Sequence, residues 1–330
     1  MTSNKNYFPD IVLDFLKEIS ERIRKLYEKK IVVNIIRISL TIASIFYLTY
    51  TLYQNRRELS LIKLDLSWLM IALMAFLFSI FMGSLAWWLI LRSVGQELEL
   101  SKAIYIHLYS NILKYLPGIG WQQGGKFLLS RTFVENNRTV LWAMTVEYSF
   151  LFSGGITVAL CALPYATSMI NIDLTRDLSS RIGEAWSFII ASIIMAISAY
   201  FTYSITQKKV YPHTKWISTV LSLITILLGW VSLSLALYLL GRSLTLTNYF
   251  TYTLSLFTTP ISFLIGLAVI FVPGGIGVRE STMAYILQWA ISPSLAVLIA
   301  LLARIFIAIA ELFAFIFATI IRKFRRNIDQ

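Results

Sequence analysis

Two short stretches combine proline, glycines and a cation in a pattern suited to holding an anion. The first reads Lys114-Tyr115-Leu116-Pro117-Gly118-Ile119-Gly120-Trp121-Gln122-Gln123-Gly124-Gly125-Lys126. The second reads Phe271-Val272-Pro273-Gly274-Gly275-Ile276-Gly277-Val278-Arg279-Glu280. Proline ends a helix by removing a donor and clashing with the turn before it. Glycines then let the backbone turn sharply. A helix restarting after such a break offers unpaired N–H groups and the positive end of its dipole, which together favour a phosphate. Pro117, Gly118, Gly120, Gly125 and Lys126, with Pro273, Gly274, Gly275, Gly277, Arg279 and Glu280, are therefore candidate anion-binding residues. The same residues would also serve as plain kinks with snorkelling cations. Gly120-x4-Gly125-Lys126 partly mimics a nucleotide-binding loop, but Phe127 stands where Ser or Thr would hold magnesium, and no strand precedes it.

Three further ionisable residues interrupt apolar runs: Glu147, Arg304 and Glu311. In a bilayer such groups cost at least about 2.5–3.5 kcal/mol each at mid-depth, so they face protein or water and find partners. They are read either as a buried ion pair holding helices together or as a polar pathway. Arg304 and Glu311, two turns apart, share similar faces of one helix. His107 and His213 alone cannot make a zinc site, and Cys161 has no partner for a disulfide. No metal or cofactor is expected.

The elements positioning these residues are apolar. Of 330 residues, 57% are hydrophobic and only 14% charged, against about 25% charged in a soluble domain. Mean hydropathy is +0.71. Six runs have the roughly 20 residues that cross a hydrocarbon core: Ile31–Tyr53, Ser67–Leu91, Val140–Leu163, Ala185–Thr206, Trp216–Leu240 and Ser294–Ile321. The formal charge of +12 comes from residues flanking these runs, which argues for orientation in a membrane and against nucleic-acid binding. The first run starts too deep for a cleaved signal peptide and reads as a signal anchor. Residues 1–30 read as an amphipathic helix on the cytoplasmic surface, and 322–330 as a basic cytoplasmic tail.

Counting crossings with the positive-inside rule places both termini in the cytoplasm of a cell-membrane protein. Residues 103–135, around the first break, then have both ends inside. Residues 249–291, around the second, have both ends outside. The expected fold is all-α and polytopic, with six to eight transmembrane helices and two Pro-Gly-broken, re-entrant hairpins. The arm Tyr249–Val272 is long enough to cross alone, which leaves a fully spanning hairpin open. Segments 31–163 and 185–321 form an inverted repeat by this reading, a recurring transporter plan.

At the breaks the sequence resembles the lysylphosphatidylglycerol synthase transmembrane-region family, which includes the flippase half of multiple peptide resistance factor. Tyr115-Leu116-Pro117-Gly118 with Trp121, Gly125 and Lys126, and above all Pro273 to Glu280, carry the resemblance across about residues 31–321. Ile119 stands where that family usually has a second glycine, and Lys126 where it commonly has arginine. The resemblance implies movement of a lipid between leaflets. It does not imply aminoacyl transfer, because only about nine residues follow the last span.

The expectation is a flippase- or scramblase-like translocase of an anionic phospholipid or polyprenyl-phosphate-linked lipid. The break residues would bind its headgroup, and Glu147, Arg304 and Glu311 would line the route. No catalytic constellation is visible, so an enzyme is not expected. The alternatives are an accessory subunit of a glycosyltransferase or secretion complex, and a lipid-modifying enzyme. Expected partners are membrane lipids, with room for a homo-oligomer or a membrane-enzyme partner.

Overall fold

The computed structural model describes residues 39, 42, 46–51, 53–54, 64–115, 120–167, 184–205, 216–244, 250–269 and 275–328. Segment 1–30, most of the first expected span, and Pro117, Gly118, Pro273 and Gly274 lie outside them. Nine helices follow from Leu66 onward among the described residues. They are α1 Leu66–Ser93, α2 Leu100–Leu113, α3 Trp121–Arg131, α4 Asn137–Thr167 and α5 Glu184–Ile205, then α6 Trp216–Ser243, α7 Tyr252–Ala268, α8 Val278–Leu287 and α9 Pro293–Ile328. No strand occurs among the described residues.

Helices α1, α4, α6 and α9 each hold a 28-residue stretch long and apolar enough to cross a membrane. Their outward faces are greasy. Met70, Met74 and Phe78 on α1, Ile217 and Leu221 on α6, and Phe313 and Phe317 on α9 are all exposed. The interior of the bundle, by contrast, holds Ser84, Ser222, Ser234, Lys126, Glu147, Arg279 and Glu311. An apolar exterior around a partly polar interior is the arrangement a lipid solvent imposes. The chain is a membrane-embedded helical protein.

Antiparallel α1 and α6 form the central seam. Asp65 N–H donates to Ser243 O at 2.8 Å, where α1 begins and α6 ends. Midway along, Ser79 Oγ donates to Gly229 O, and Ser232 Oγ donates to Ala75 O, both at 2.9 Å. Small residues let the backbones approach closely enough for these bonds. Asp65 also starts α1, its Oδ1 accepting Ser67 N–H at 2.9 Å and Trp68 N–H at 3.4 Å.

Both Pro-Gly segments separate short helices. α2 has 14 residues and α3 has 11; α7 has 17 and α8 has 10. α7 is shorter than the arm expected from sequence. It ends at Ala268, about 25 Å from its start at 1.5 Å per residue. α9 is longer than expected and carries the helix through residues 322–328. Nothing between Ile321 and Ile328 breaks it, and Arg322, Lys323, Arg325 and Arg326 suit a helix C-terminus.

The two restarts share one device. Gly120 (φ 79°) precedes α3 and Gly277 (φ 86°) precedes α8, both at positive φ, where a side chain is strained. Their carbonyls accept the first helical bonds, from Gly124 N–H at 2.7 Å and from Ser281 N–H at 2.8 Å. Close approach fixes two more glycines. A Cβ on Gly125 would fall 2.0 Å from Leu113 Cδ1, and one on Gly275 would fall 2.9 Å from Gly266 O. Thus α3 lies hard against α2, and the second break against α7.

Candidate functional site

The interior charges gather into two clusters. In the first, α3 supplies Lys126, α4 supplies Glu147 and α2 supplies His107. Lys126 Nζ donates to both carboxylate oxygens of Glu147, at 2.5 and 2.6 Å. His107 Nδ1 is 3.1 Å from the same ammonium and 3.6 Å from Glu147 Oε1. The ammonium also sits 4.0 Å above the ring of Trp87, a fully buried residue of α1. Lys126 and Glu147 are each only 6% exposed, so this is a buried, two-pronged ion pair. Around it Gln123 donates to Tyr148 Oη at 2.9 Å, and Gln122 to Asn111 Oδ1 at 2.8 Å.

The second cluster joins the two breaks through α9. Lys114, at the end of α2, donates to Glu311 Oε1. The neighbouring Tyr115 hydroxyl donates to Glu311 Oε2 at 2.8 Å. Two turns away along α9, Arg304 Nε lies 3.5 Å from Glu280 Oε1 on α8, and its guanidinium is 5.9 Å from the Tyr115 ring. Tyr115 opens the first break and Glu280 follows the second. Arg304 touches both.

Arg279 completes this cluster. It is 7% exposed, its guanidinium lying 4.8 Å over the Phe263 ring of α7. The charges acting on it are those of Arg304, Glu280 and Glu311, yet among the described residues no carboxylate lies within ion-pair distance of it. Glu280, meanwhile, is turned back on its own helix. Its Oε2 accepts Gly277 N–H at 2.6 Å, so the start of α8 is served by an internal carboxylate.

The residues read from sequence therefore divide by role. Glu147, Arg304 and Glu311 do need partners, and each has one: Lys126, Glu280 and Lys114. Gly120, Gly275 and Gly277 shape the breaks, and Gly125 admits α3 against α2. Lys126 is spoken for by Glu147, while Arg279 has no such counterion among the described residues. His107, Lys114 and the Tyr115 hydroxyl received no role in the sequence reading. Their signal was available: His107 in α2 and Lys114 at its C-terminal cap lie seven residues, two turns, apart on one face.

A bundle of apolar helices, interrupted twice and carrying buried charges beside both interruptions, defines a polytopic membrane protein with a polar interior. The sequence matches the family described as lysylphosphatidylglycerol synthase TM region over residues 34–314, and the chain belongs to that family. No curated protein matches it.

Proposed function

We propose that this chain is a lipid translocase, moving an anionic lipid between leaflets without altering it covalently. The observation that carries the reading is one buried cluster that holds the residues flanking both Pro-Gly breaks, Lys114 and Tyr115 before the first, Arg279 and Glu280 after the second. That cluster has three cations, Lys114, Arg279 and Arg304, against two carboxylates, Glu280 and Glu311. Buried charge left uncompensated is costly, so a passing phosphate would be drawn to it. Membership of a family named for lysylphosphatidylglycerol synthesis supports a lipid-related role.

In this reading, segments 103–135 and 249–291 are re-entrant hairpins dipping from opposite leaflets, and 31–163 and 185–321 are inverted repeats. Both termini are cytoplasmic in the cell membrane. Arg279 is the principal headgroup residue, with Lys114 and Arg304 beside it. The breaks bearing Pro117, Gly118 and Gly120, and Pro273, Gly274, Gly275 and Gly277, supply backbone donors to the headgroup. Glu280 closes the α8 terminus by accepting Gly277 N–H. The Lys126–Glu147 pair, held by Gly125's close packing, lines the neighbouring stretch of the route.

Reconstitution into liposomes tests the proposal directly. Fluorescent phospholipids in the inner leaflet become accessible to an external quencher only if they cross. Crossing of an anionic phospholipid faster than in protein-free vesicles is expected. An unchanged rate for every anionic lipid tried would sink the reading.

A further inference from the structure

The cluster of Lys126, Glu147 and His107 holds a contact that cannot coexist with one extra proton. A lysine ammonium has three N–H donors and no acceptor. Two of those on Lys126 go to Glu147 Oε1 and Oε2, and the third meets His107 Nδ1 at 3.1 Å. Nδ1 therefore accepts, which leaves the ring neutral with its proton on Nε2. On its other side the ring sits against α1, where a Cβ at Gly83 would fall 3.1 Å from Nε2. Hydrogen-bonding side chains run from this point to the start of α3. Asn111, one turn along α2 from His107, accepts from Gln122, one turn before Lys126 on α3. Gln123 and Tyr148 form a second rung beside Lys126 and Glu147. Polar chains of this kind inside a membrane give protons and water a path.

We infer that His107 is a proton-binding site whose loading releases Lys126 and frees α3, so that the first broken hairpin is moved by acid. The inference goes beyond the translocase reading and does not depend on what crosses. A proton passing from water onto Nδ1 makes an imidazolium that faces an ammonium 3.1 Å away. The loaded ring and the present contact therefore exclude each other. The imidazolium finds its partner in Glu147 Oε1, 3.6 Å away. Lys126 is then left buried with its carboxylate shared, a state relieved by moving α3. Among the described residues, the packed elements bring these other groups. α2 has Lys114 two turns along, α9 has Glu311 on that lysine and Arg304 on Glu280, α4 has Tyr148, and α1 has the Trp87 ring. Of all these side chains only a histidine ordinarily changes charge between about pH 5 and 8. Because the proton binds the released state alone, acid favours release. The closed state is regained as pH rises past about 6.5, the ordinary value of histidine.

The test uses tag-free, full-length protein in detergent carrying His213→Gln, so that His107 is the one histidine left. With isotope-labelled histidine, NMR should show the neutral Nε2–H ring at about pH 8 and imidazolium at about pH 5. Over that range hydrogen exchange of α3, corrected for the intrinsic effect of pH on exchange, should quicken about tenfold. His107→Gln still offers Lys126 an acceptor but takes no proton, and should leave the corrected exchange flat. A ring that stays neutral, exchange that ignores the charging of the ring, or a step that survives in His107→Gln would overturn the proton site. If His107→Gln does not fold, the joint titration of ring and exchange in the His213→Gln protein decides alone. Liposomes made with fluorescent anionic phospholipid separate the two readings. No crossing at any pH beside an intact titration would sink the translocase and leave the proton site standing. Crossing at one rate throughout, beside a ring that never charges, would do the reverse.

Discussion

Tyr115 and Glu311, 196 residues apart in sequence, are joined by a 2.8 Å hydrogen bond from hydroxyl to carboxylate. That bond ties the entrance of the first break to α9, the helix that also reaches the second break through Arg304. Tyr115→Phe keeps the ring and removes only the donor. The expected loss is about 1.5–3 kcal/mol, the usual worth of a hydrogen bond to a charged group. Denaturant unfolding of the purified protein in detergent measures it, and an unchanged midpoint would show that the bond contributes nothing.

The Lys126–Glu147 pair makes a sharper case. Replacing either partner alone leaves a buried charge unmatched, so Lys126→Met and Glu147→Gln should each cost roughly 3–5 kcal/mol. The double variant Lys126→Met/Glu147→Gln removes both charges and should recover most of that loss. A thermal-unfolding double-mutant cycle reads the coupling directly. Additive losses would mean that the two groups do not act as a pair.

Two adjacent glycines of α3, Gly124 and Gly125, should respond oppositely to the same change. In Gly125→Ala the new methyl falls 2.0 Å from Leu113 Cδ1, and overpacking of this kind costs about 1–3 kcal/mol. Adding Leu113→Ala should relieve part of it. Gly124→Ala meets nothing within 4 Å and should raise stability by roughly 0.5–1 kcal/mol, the helix preference of alanine over glycine. Melting temperatures of the three variants decide the matter. Equal shifts for Gly124→Ala and Gly125→Ala would refute the packing described.

Gly277→Ala tests the second restart. The residue holds φ at 86°, a conformation that costs an L-residue about 1–2 kcal/mol, and its N–H is the donor to Glu280. Stability should fall by that amount, and hydrogen exchange at the start of α8 should quicken. Unaltered exchange there would show that the turn tolerates a side chain.

Much of this architecture is legible in the amino-acid order because lipid makes simple demands. Runs such as Trp216–Leu240 are long, apolar and unbroken, and α6 covers that run. Pro117 and Pro273 with their glycines announce interruptions, and helices do stop and restart around both. Glu147, Arg304 and Glu311 announce a need for partners, since isolated charge is penalised in an apolar setting. What the order could not give is who those partners are. Lys114 and Glu311 lie 197 positions apart, and no periodicity links them. Nor does local pattern reveal that Glu280 folds back onto Gly277, or that Lys126 is already matched by Glu147. Those outcomes depend on where α8, α9 and the end of α2 arrive together.

The seam between α1 and α6 has a mechanical implication. Ser79 gives its hydrogen to the far backbone, and Ser232 gives one back, so the grip is mutual. Sliding either rod by a single residue would release both holds together. A joint of that kind resists translation far better than two unrelated contacts would, and it behaves as a fixed axle. Any rearrangement that lets cargo through is therefore expected to come from the short broken segments hung around it.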